Sequence, residues 1–408
     1  MDKSIGSNLS RIKVQNQFAI KEIVYKSGPV SRLEIADRLG LTLPTITTNV
    51  SSMLKSRLFK EVDGPHEART IGRRTMYIDM NEDYGLFMGI EIRGSARRGV
   101  IVDMRGNIIA SDSDEEPYSD YTDAVRSSAK LAASLAGRIK GGFKAVECIG
   151  LSMPGIIDSS EKKLVIYPEY SWSDKSVAAD FIALSGYGGE VYAENNTISR
   201  AYAMSMFHGK SLKGADSMAY LLISSGIGCP LLSGVRSHFG YVTGDGEVGH
   251  MVMDPGGPLC ICGNNGCLEA YSSERAMSEK AIEAAREGHS EAFSEILSKS
   301  GTVSVDDIIM AKKAGDECAA SIISEAIRYL GLAVANIDNF VRPECMVIEG
   351  RIFDDDESRR LLLDVIHKNL YRGSFSDYRF CFRKSDDFSG AEGASALAIR
   401  HYLEAYQE

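Results

Sequence analysis

The chain has 408 residues, 44.4 kDa and a formal net charge of −10, with 44% hydrophobic and 25% charged residues. These proportions exclude a disordered or fibrous chain, and the length suggests two or three domains with cores of their own. Residues 1–80 hold 13 Lys+Arg against 8 Asp+Glu, a net of +5, while the other 328 hold 33 against 48, a net of −15, so a basic front on an acidic body suggests two different partners.

The first elements read as three helices and a hairpin. Phe18, Ile20, Ile23 and Val24 put an apolar stripe on a first helix. Ser31-Arg32-Leu33-Glu34 has the capping-box form, with Ile35 and Leu39 following at helical spacing, and Gly40 stops that helix. Thr42 caps a third helix with Pro44 in its first turn, where a missing N–H costs little. Ile46, Val50, Met53 and Leu54 form its buried stripe, and Thr45, Thr47, Thr48, Asn49 and Ser52 its open face. Strands are predicted over 58–62 and 75–80, with a polar loop containing Arg69, Arg73 and Arg74 between them.

From Leu86 the pattern turns to short apolar strands, 86–92, 99–103 and 107–110. An amphipathic helix over 122–141 follows, then a buried strand over 145–152 ending in Met153-Pro154-Gly155. A strand over 190–193 leads into a helix through about residue 207. A second group of strands covers 217–234, helices then dominate, notably 316–340, a strand ends at Val347-Ile348, and a helix over 391–406 closes the chain. The order of strands, helix and strand occurs twice, which hints at duplication. With no apolar signal core and no apolar run of ~18 residues, a cytoplasmic protein without a membrane span is expected.

Two helices joined by a short turn, then a hairpin with a basic tip, form the winged helix-turn-helix arrangement. On this reading Thr42, Pro44, Thr45, Thr47, Thr48 and Asn49 present a helix to a major groove, where hydroxyls and amides meet base edges. Arg69, Arg73 and Arg74 reach phosphates or a narrow minor groove. The alternative is a small helical dimerisation domain with a solvated polar face.

His250, Cys260, Cys262 and Cys267 follow the pattern H-x9-C-x-C-x4-C. Three thiols and an imidazole make a closed four-ligand set, suited to one structural zinc per chain and leaving no exchangeable position for hydrolysis. Gly249, Gly256, Gly257, Gly263 and Gly266 let the short loop fold back on itself. Reduced thiols or a redox pair are the alternatives. Cys148, Cys229, Cys318, Cys345 and Cys381 lie apart and read as small core residues.

Gly246-Glu247-Val248-Gly249-His250, the three-cysteine loop and Gly266-Cys267-Leu268-Glu269 resemble the ROK family (repressor, open reading frame, kinase). The front segment ending Gly72-Arg73-Arg74 is similar to that of its xylose- and N-acetylglucosamine-repressor group. The resemblance implies a two-lobed α/β fold of the sugar-kinase/actin-like, ribonuclease H-like kind behind a mainly α winged helix-turn-helix. It places the head at 1–82, a first lobe at 83–205 plus 386–408, and a second lobe with the zinc loop at 206–385. It also implies a sugar site of Gly155, Asn195, Asn196, Glu247, His250 and Glu269, with His250 shared between sugar and zinc.

The kinase chemistry of that family is degraded here. Its Asp-x-Gly-Gly-Thr phosphate turn reads Glu91-Ile92-Arg93-Gly94-Ser95, and its late Gly-Gly-Gly turn reads Ile348-Glu349-Gly350-Arg351. Its catalytic Asp in Glu-Asn-Asp is replaced by Asn196, and an amide cannot act as a general base near neutral pH although it still hydrogen-bonds. Arg93, Arg97 and Arg98 read first as a solvated basic turn and second as a seat for an effector phosphate. The resulting expectation is a regulator without enzymatic activity, a repressor of carbohydrate-utilisation genes. Its partners would be operator DNA, a sugar or sugar-phosphate effector, further copies of itself as a homodimer or homotetramer, and a phosphotransferase-system protein. The rival is an ATP-dependent sugar kinase with an accessory DNA-binding domain.

Overall fold

The computed structural model describes residues 4–64, 75–94, 96–212, 214–215, 217–233, 244–371 and 380–406. The front segment consists of α1 (Ser4–Ser27), β1 (Val30–Ser31), α2 (Arg32–Leu39), α3 (Leu43–Lys55), β2 (Phe59–Asp63) and β3 (Met76–Met80), with the strands in antiparallel order β1-β3-β2. The capping box is formed: Ser31 Oγ accepts from Glu34 N at 3.2 Å, and Glu34 Oε2 accepts from Ser31 N at 2.7 Å. Gly40, at φ 62, ends α2 in the left-handed region that favours glycine. Thr42 stands at the N-cap of α3, but its hydroxyl meets the Thr45 hydroxyl at 2.9 Å instead of capping a backbone N–H. Pro44 has no N–H to offer it.

A meander follows of β4 (Leu86–Arg93), β5 (Ala96–Asp103) and β6 (Ile108–Asp114). Next come α4 (Tyr121–Gly137), β7 (Val146–Met153), the short strands β8 (Ile156–Asp158), β9 (Lys163–Tyr167) and β10 (Trp172–Lys175), α5 (Val177–Ser185), β11 (Glu190–Asn195) and α6 (Asn196–Met206). The five-stranded sheet has the order β11-β7-β4-β5-β6, with β11, β7 and β4 parallel.

A second sheet repeats the plan with a reduced meander. It begins with β12 (Ser217–Ile223), β13 (Ile227–Gly228) and β14 (Leu231–Ser233). Helices α7 (Leu268–Ser272), α8 (Glu274–Arg286), α9 (Glu291–Ser300), α10 (Val305–Lys313) and α11 (Glu317–Phe340) precede β15 (Cys345–Glu349), α12 (Asp356–Asn369) and β16 (Phe380–Arg383). The strands run β13-β12-β15-β16, β14 also pairing with β12. Finally α13 (Ser389–Ala405) returns to the first sheet.

The chain divides into two compact units. The first is Met1–Val165, Ser173–Lys213 and Phe388–Glu408; the second is Ile166–Trp172 and Gly214–Asp387. The expected cut at residue 82 is not a boundary between these units. One continuous apolar core explains why: Ile20, Val24, Ile46 and Met53 of the front segment share it with Phe87, Val102, Ala398 and Leu403. The second unit has its own core around β12, β15 and α11. Among the described residues α11 alone is long and apolar enough to cross a membrane by length and composition, but Glu325 and Arg328 interrupt it and most of it is buried in that core. Cys148, Cys229 and Cys345 are core residues as expected, whereas Cys318 and Cys381 are only half-buried.

Candidate functional site

The four candidate metal-ligand side chains converge in the second unit. His250 closes a 3-10 turn, Val248–His250, and Cys267 stands at the N-cap of α7. The ligand atoms of His250, Cys260, Cys262 and Cys267 all lie within 4.8 Å of one another. Cys260 Sγ is 3.7 Å from His250 Nδ1, and Cys262 Sγ is 3.7 Å from Cys267 Sγ. Sulfurs ~2.3 Å from a central zinc stand about 3.8 Å apart at the corners of a tetrahedron, so the cluster is compatible with zinc. The loop is closed by its own backbone: Met253 N donates to Gly266 O at 2.7 Å, and Cys260 N to Asn264 O at 2.7 Å. Gly266 has φ 71, and a Cβ there would overlap Asp254 O, so glycine is required. Burial pushes the Cys267 thiol up to about 12, so metal binding must displace a proton from it.

Glu247 and Glu269 frame the same turn. His250 N donates to Glu247 O at 3.1 Å. The Glu269 carboxylate accepts from Ile227 N at 3.2 Å and faces Arg275 Nη2 at 3.3 Å. A Cβ on Gly249 would stand 3.2 Å from Glu269 Oε2, which places that carboxylate against the turn. Burial, and secondly the charge of Glu269, push the Glu247 carboxyl up to about 7. Thus Glu247, His250 and Glu269 are brought together in the second unit.

Gly155, Asn195 and Asn196 are brought together in the first unit, at the carboxyl ends of β7 and β11, where open α/β sheets bind their ligands. Asn195 Nδ2 donates to Gly155 O at 2.9 Å. Its Oδ1 accepts from Thr197 N at 2.8 Å and Ile198 N at 3.4 Å, capping α6. Asn195 therefore spends most of its hydrogen-bonding capacity on shape. Asn196 is only 6% exposed, and among the described residues nothing in the chain hydrogen-bonds its amide. Beside them Glu194, not singled out by the sequence, accepts from Ser159 Oγ at 2.5 Å and from Asn195 N at 2.7 Å.

The acidic residues at the two turns that resemble the family's phosphate turns are paired within the chain. Glu91 and Arg200 form a buried ion pair at 2.8 Å between β4 and α6, and the Glu91 carboxylate lies against Gly390 of α13. Arg200 carries no sequence signal beyond its place in an otherwise uncharged helix. Arg97 is not in a solvated turn: it is 1% exposed, 2.6 Å from Asp114 Oδ2, and donates to Glu116 O at 2.7 Å. Arg98 pairs with Glu115 at 2.5 Å. Both arginines fasten β5 to the end of β6, which corrects both sequence readings of this trio for two of its members. In the second unit the Glu349 carboxylate accepts from the Tyr220 hydroxyl, with Arg383 Nε 3.9 Å away.

On α3, Thr42, Pro44, Thr47 and Thr48 are exposed and Thr45 and Asn49 half-buried, opposite the buried Ile46, Val50 and Met53. Thr47 and Thr48 donate to Leu43 O and Pro44 O, and Asn49 Nδ2 to Thr45 O at 2.8 Å. Arg69, Arg73 and Arg74 lie outside the described residues.

A family model described as ROK matches residues 87–401. The chain is 26% identical over 404 residues to the "Xylose repressor" of Bacillus subtilis (strain 168), covering 96% of each protein. It is 23% identical over 409 residues to the "DNA-binding transcriptional dual regulator NagC" of Escherichia coli (strain K12), covering 97% of this chain and 95% of the relative. Its fold matches that of a ROK family transcriptional regulator, a homologue of the E. coli MLC protein, with TM-score 0.74 at 22% identity, over 96% of this chain and 97% of the other. It also matches a ROK family glucokinase from Streptomyces griseus, in complex with glucose and AMPPNP, with TM-score 0.63 at 23% identity, over 77% of this chain and 99% of the enzyme.

Proposed function

The chain belongs to the ROK family, and from that premise we propose that it is a sugar-responsive, DNA-binding transcriptional regulator. It represses carbohydrate-utilisation genes in the cytoplasm, and its kinase-like body senses a sugar without phosphorylating it. The observation that carries this reading is Asn196: a buried amide stands where a kinase of this family keeps its base, beside Asn195 and Gly155. It can recognise a hydroxyl but cannot deprotonate one. The buried Glu349 supports the same conclusion, because it puts a carboxylate where a kinase of this family has a glycine turn, and a carboxylate there opposes a nucleotide.

By resemblance the sugar-contact positions are Gly155, Asn195, Asn196, Glu247, His250 and Glu269. His250, Cys260, Cys262 and Cys267 would hold a structural zinc that fixes the loop and the orientation of the His250 ring. Thr42, Pro44, Thr45, Thr47, Thr48 and Asn49 face the operator, with Arg69, Arg73 and Arg74 on its backbone. In a homodimer or homotetramer, a sugar that prefers one arrangement of the units changes the spacing of two heads, so they no longer match two half-sites. A phosphotransferase-system protein is a further candidate partner.

Gel shifts on upstream DNA with a panel of D-xylose, N-acetylglucosamine and their phosphates test this reading. Retention of one duplex, released by one sugar, is expected; sequence-specific retention under no condition would sink it. A coupled ADP-release assay with the same sugars should stay at background. Metal analysis should return about one zinc per chain, lost in Cys260→Ser.

A further inference from the structure

A helix leaves its last carbonyls without partners at the negative end of its dipole. At the end of α13 the missing donor comes from almost four hundred residues away. Lys21, near the end of α1, donates from Nζ to Leu403 O and, at 3.0 Å, to Tyr406 O, with the Tyr406 ring 5.2 Å away. Lys21 is 1% exposed, and burying an ammonium is tolerable only where hydrogen bonds replace its water. Its neighbour Glu22 is also buried, with Arg400 Nη1 of α13 at 3.6 Å and Lys26 Nζ at 3.6 Å. Arg400 in turn lies over the Phe18 ring of α1 and 3.0 Å from Glu404.

Two further contacts join the same parts. Arg105, in the turn between β5 and β6, donates to Tyr25 O of α1 at 2.7 Å and pairs with Asp79 of the hairpin strand β3. The hydroxyls of Tyr84 and Tyr402 meet at 2.8 Å. At its other end α13 lies against the Glu91 carboxylate through Gly390 and against Ser199 of α6 through Gly393. Helix α6 starts at Asn196. A packed line thus runs from the asparagines through α6 and α13 to α1.

We propose that Lys21 is a latch that makes the winged-helix head a rigid extension of the first unit, joined to it through the carboxyl end of α13. The head is then no module swinging on a linker at about residue 82. Any displacement of α13 is a displacement of α2 and α3. The proposal deepens the reading of the head as a DNA reader, but the latch itself exists without DNA or sugar.

Hydrogen exchange followed by mass spectrometry on the full chain tests it with neither ligand present. In Lys21→Met the amides of α1, α2 and α3 should exchange at least ~10-fold faster than in the parent, while those of β4 and β7 keep their protection. Lys21→Arg, which keeps a cation with donors, should restore the head to within ~3-fold. Unchanged exchange in the head would overturn the latch, and so would a uniform rise across the whole first unit, which is what a merely structural lysine gives. Should Lys21→Met not fold, Glu22→Gln removes the pairings with Arg400 and Lys26, keeps Lys21, and is held to the same head-specific rise. A failed gel shift with intact head-specific exchange would count against the DNA reading and not against the latch.

Discussion

Glu194 holds a carboxyl where water cannot reach it. It is 2% exposed, and burial pushes its titration from the ordinary 4.5 to about 7, against the opposing pull of its hydrogen bonds from Ser159 and Asn195. In the unfolded chain the proton leaves near 4.5, so between that pH and about 7 the folded state keeps a proton that the unfolded state has lost. Stability therefore falls as pH rises through this window and levels off above it. Glu194→Gln keeps the shape and removes the charge. Relative to the parent it should gain about 1–3 kcal/mol on going from pH 5 to pH 8. Urea melts at the two pH values measure this, and an equal difference at both would refute it. The sequence displays Glu194 as one letter beside Asn195 and Asn196, but its burial depends on the turn after β8, which no local spacing reveals. The metal ligands were legible for the opposite reason: His250 to Cys267 is one short loop, so chelation is written locally.

Secondary structure was legible because it too is local. Ser31 and Glu34 give the capping box, Gly40 the stop, and the spacing of Ile46, Val50 and Met53 the buried face of α3. What lies on what was not legible. Gly89 on β4 and Gly150 on β7 are register partners, and together they make a notch in the sheet. A Cβ at Gly89 would overlap Ala391 O, and one at Gly150 would overlap Ala394 O, so α13 can lie on the sheet only because both positions are bare. Each glycine, read in its own strand, looks like a defect. The helix that needs them begins at Ser389, far beyond either strand. Gly150→Ala forces α13 off the sheet and should cost about 1–3 kcal/mol, as overpacking of a close interface does. Denaturant unfolding checks it; a loss near zero would mean that α13 rides higher on the strands than described. The same tertiary pairing explains Arg97, whose run with Arg93 and Arg98 reads as basic surface until Asp114 is folded across from it.

At the scale of the whole molecule, charge is the property that composition states and the fold leaves in place. The first 80 residues carry +5 and the remainder −15, so any polyanion is drawn to the head and repelled elsewhere. On the proposed reading, affinity for DNA rests on a small number of cations. Each phosphate they neutralise contributes about −0.9 to the slope of log affinity against log salt on duplex DNA. Arg73 and Arg74 are read as backbone contacts and Asn49, on α3, as a base contact, and these roles predict different signatures. Replacing Arg73 and Arg74 together by Gln should reduce the magnitude of the slope by about 2 and weaken operator and scrambled duplex alike. Asn49→Ala should leave the slope unchanged and lower discrimination between the two duplexes by about 1–3 kcal/mol. Fluorescence anisotropy titrations on both duplexes between 50 and 200 mM salt, on the order of the range over which phosphate contacts dominate, separate the cases. An unaltered slope in the double arginine variant would remove the hairpin tip from the DNA backbone, and an unaltered discrimination in Asn49→Ala would remove α3 from the base edges.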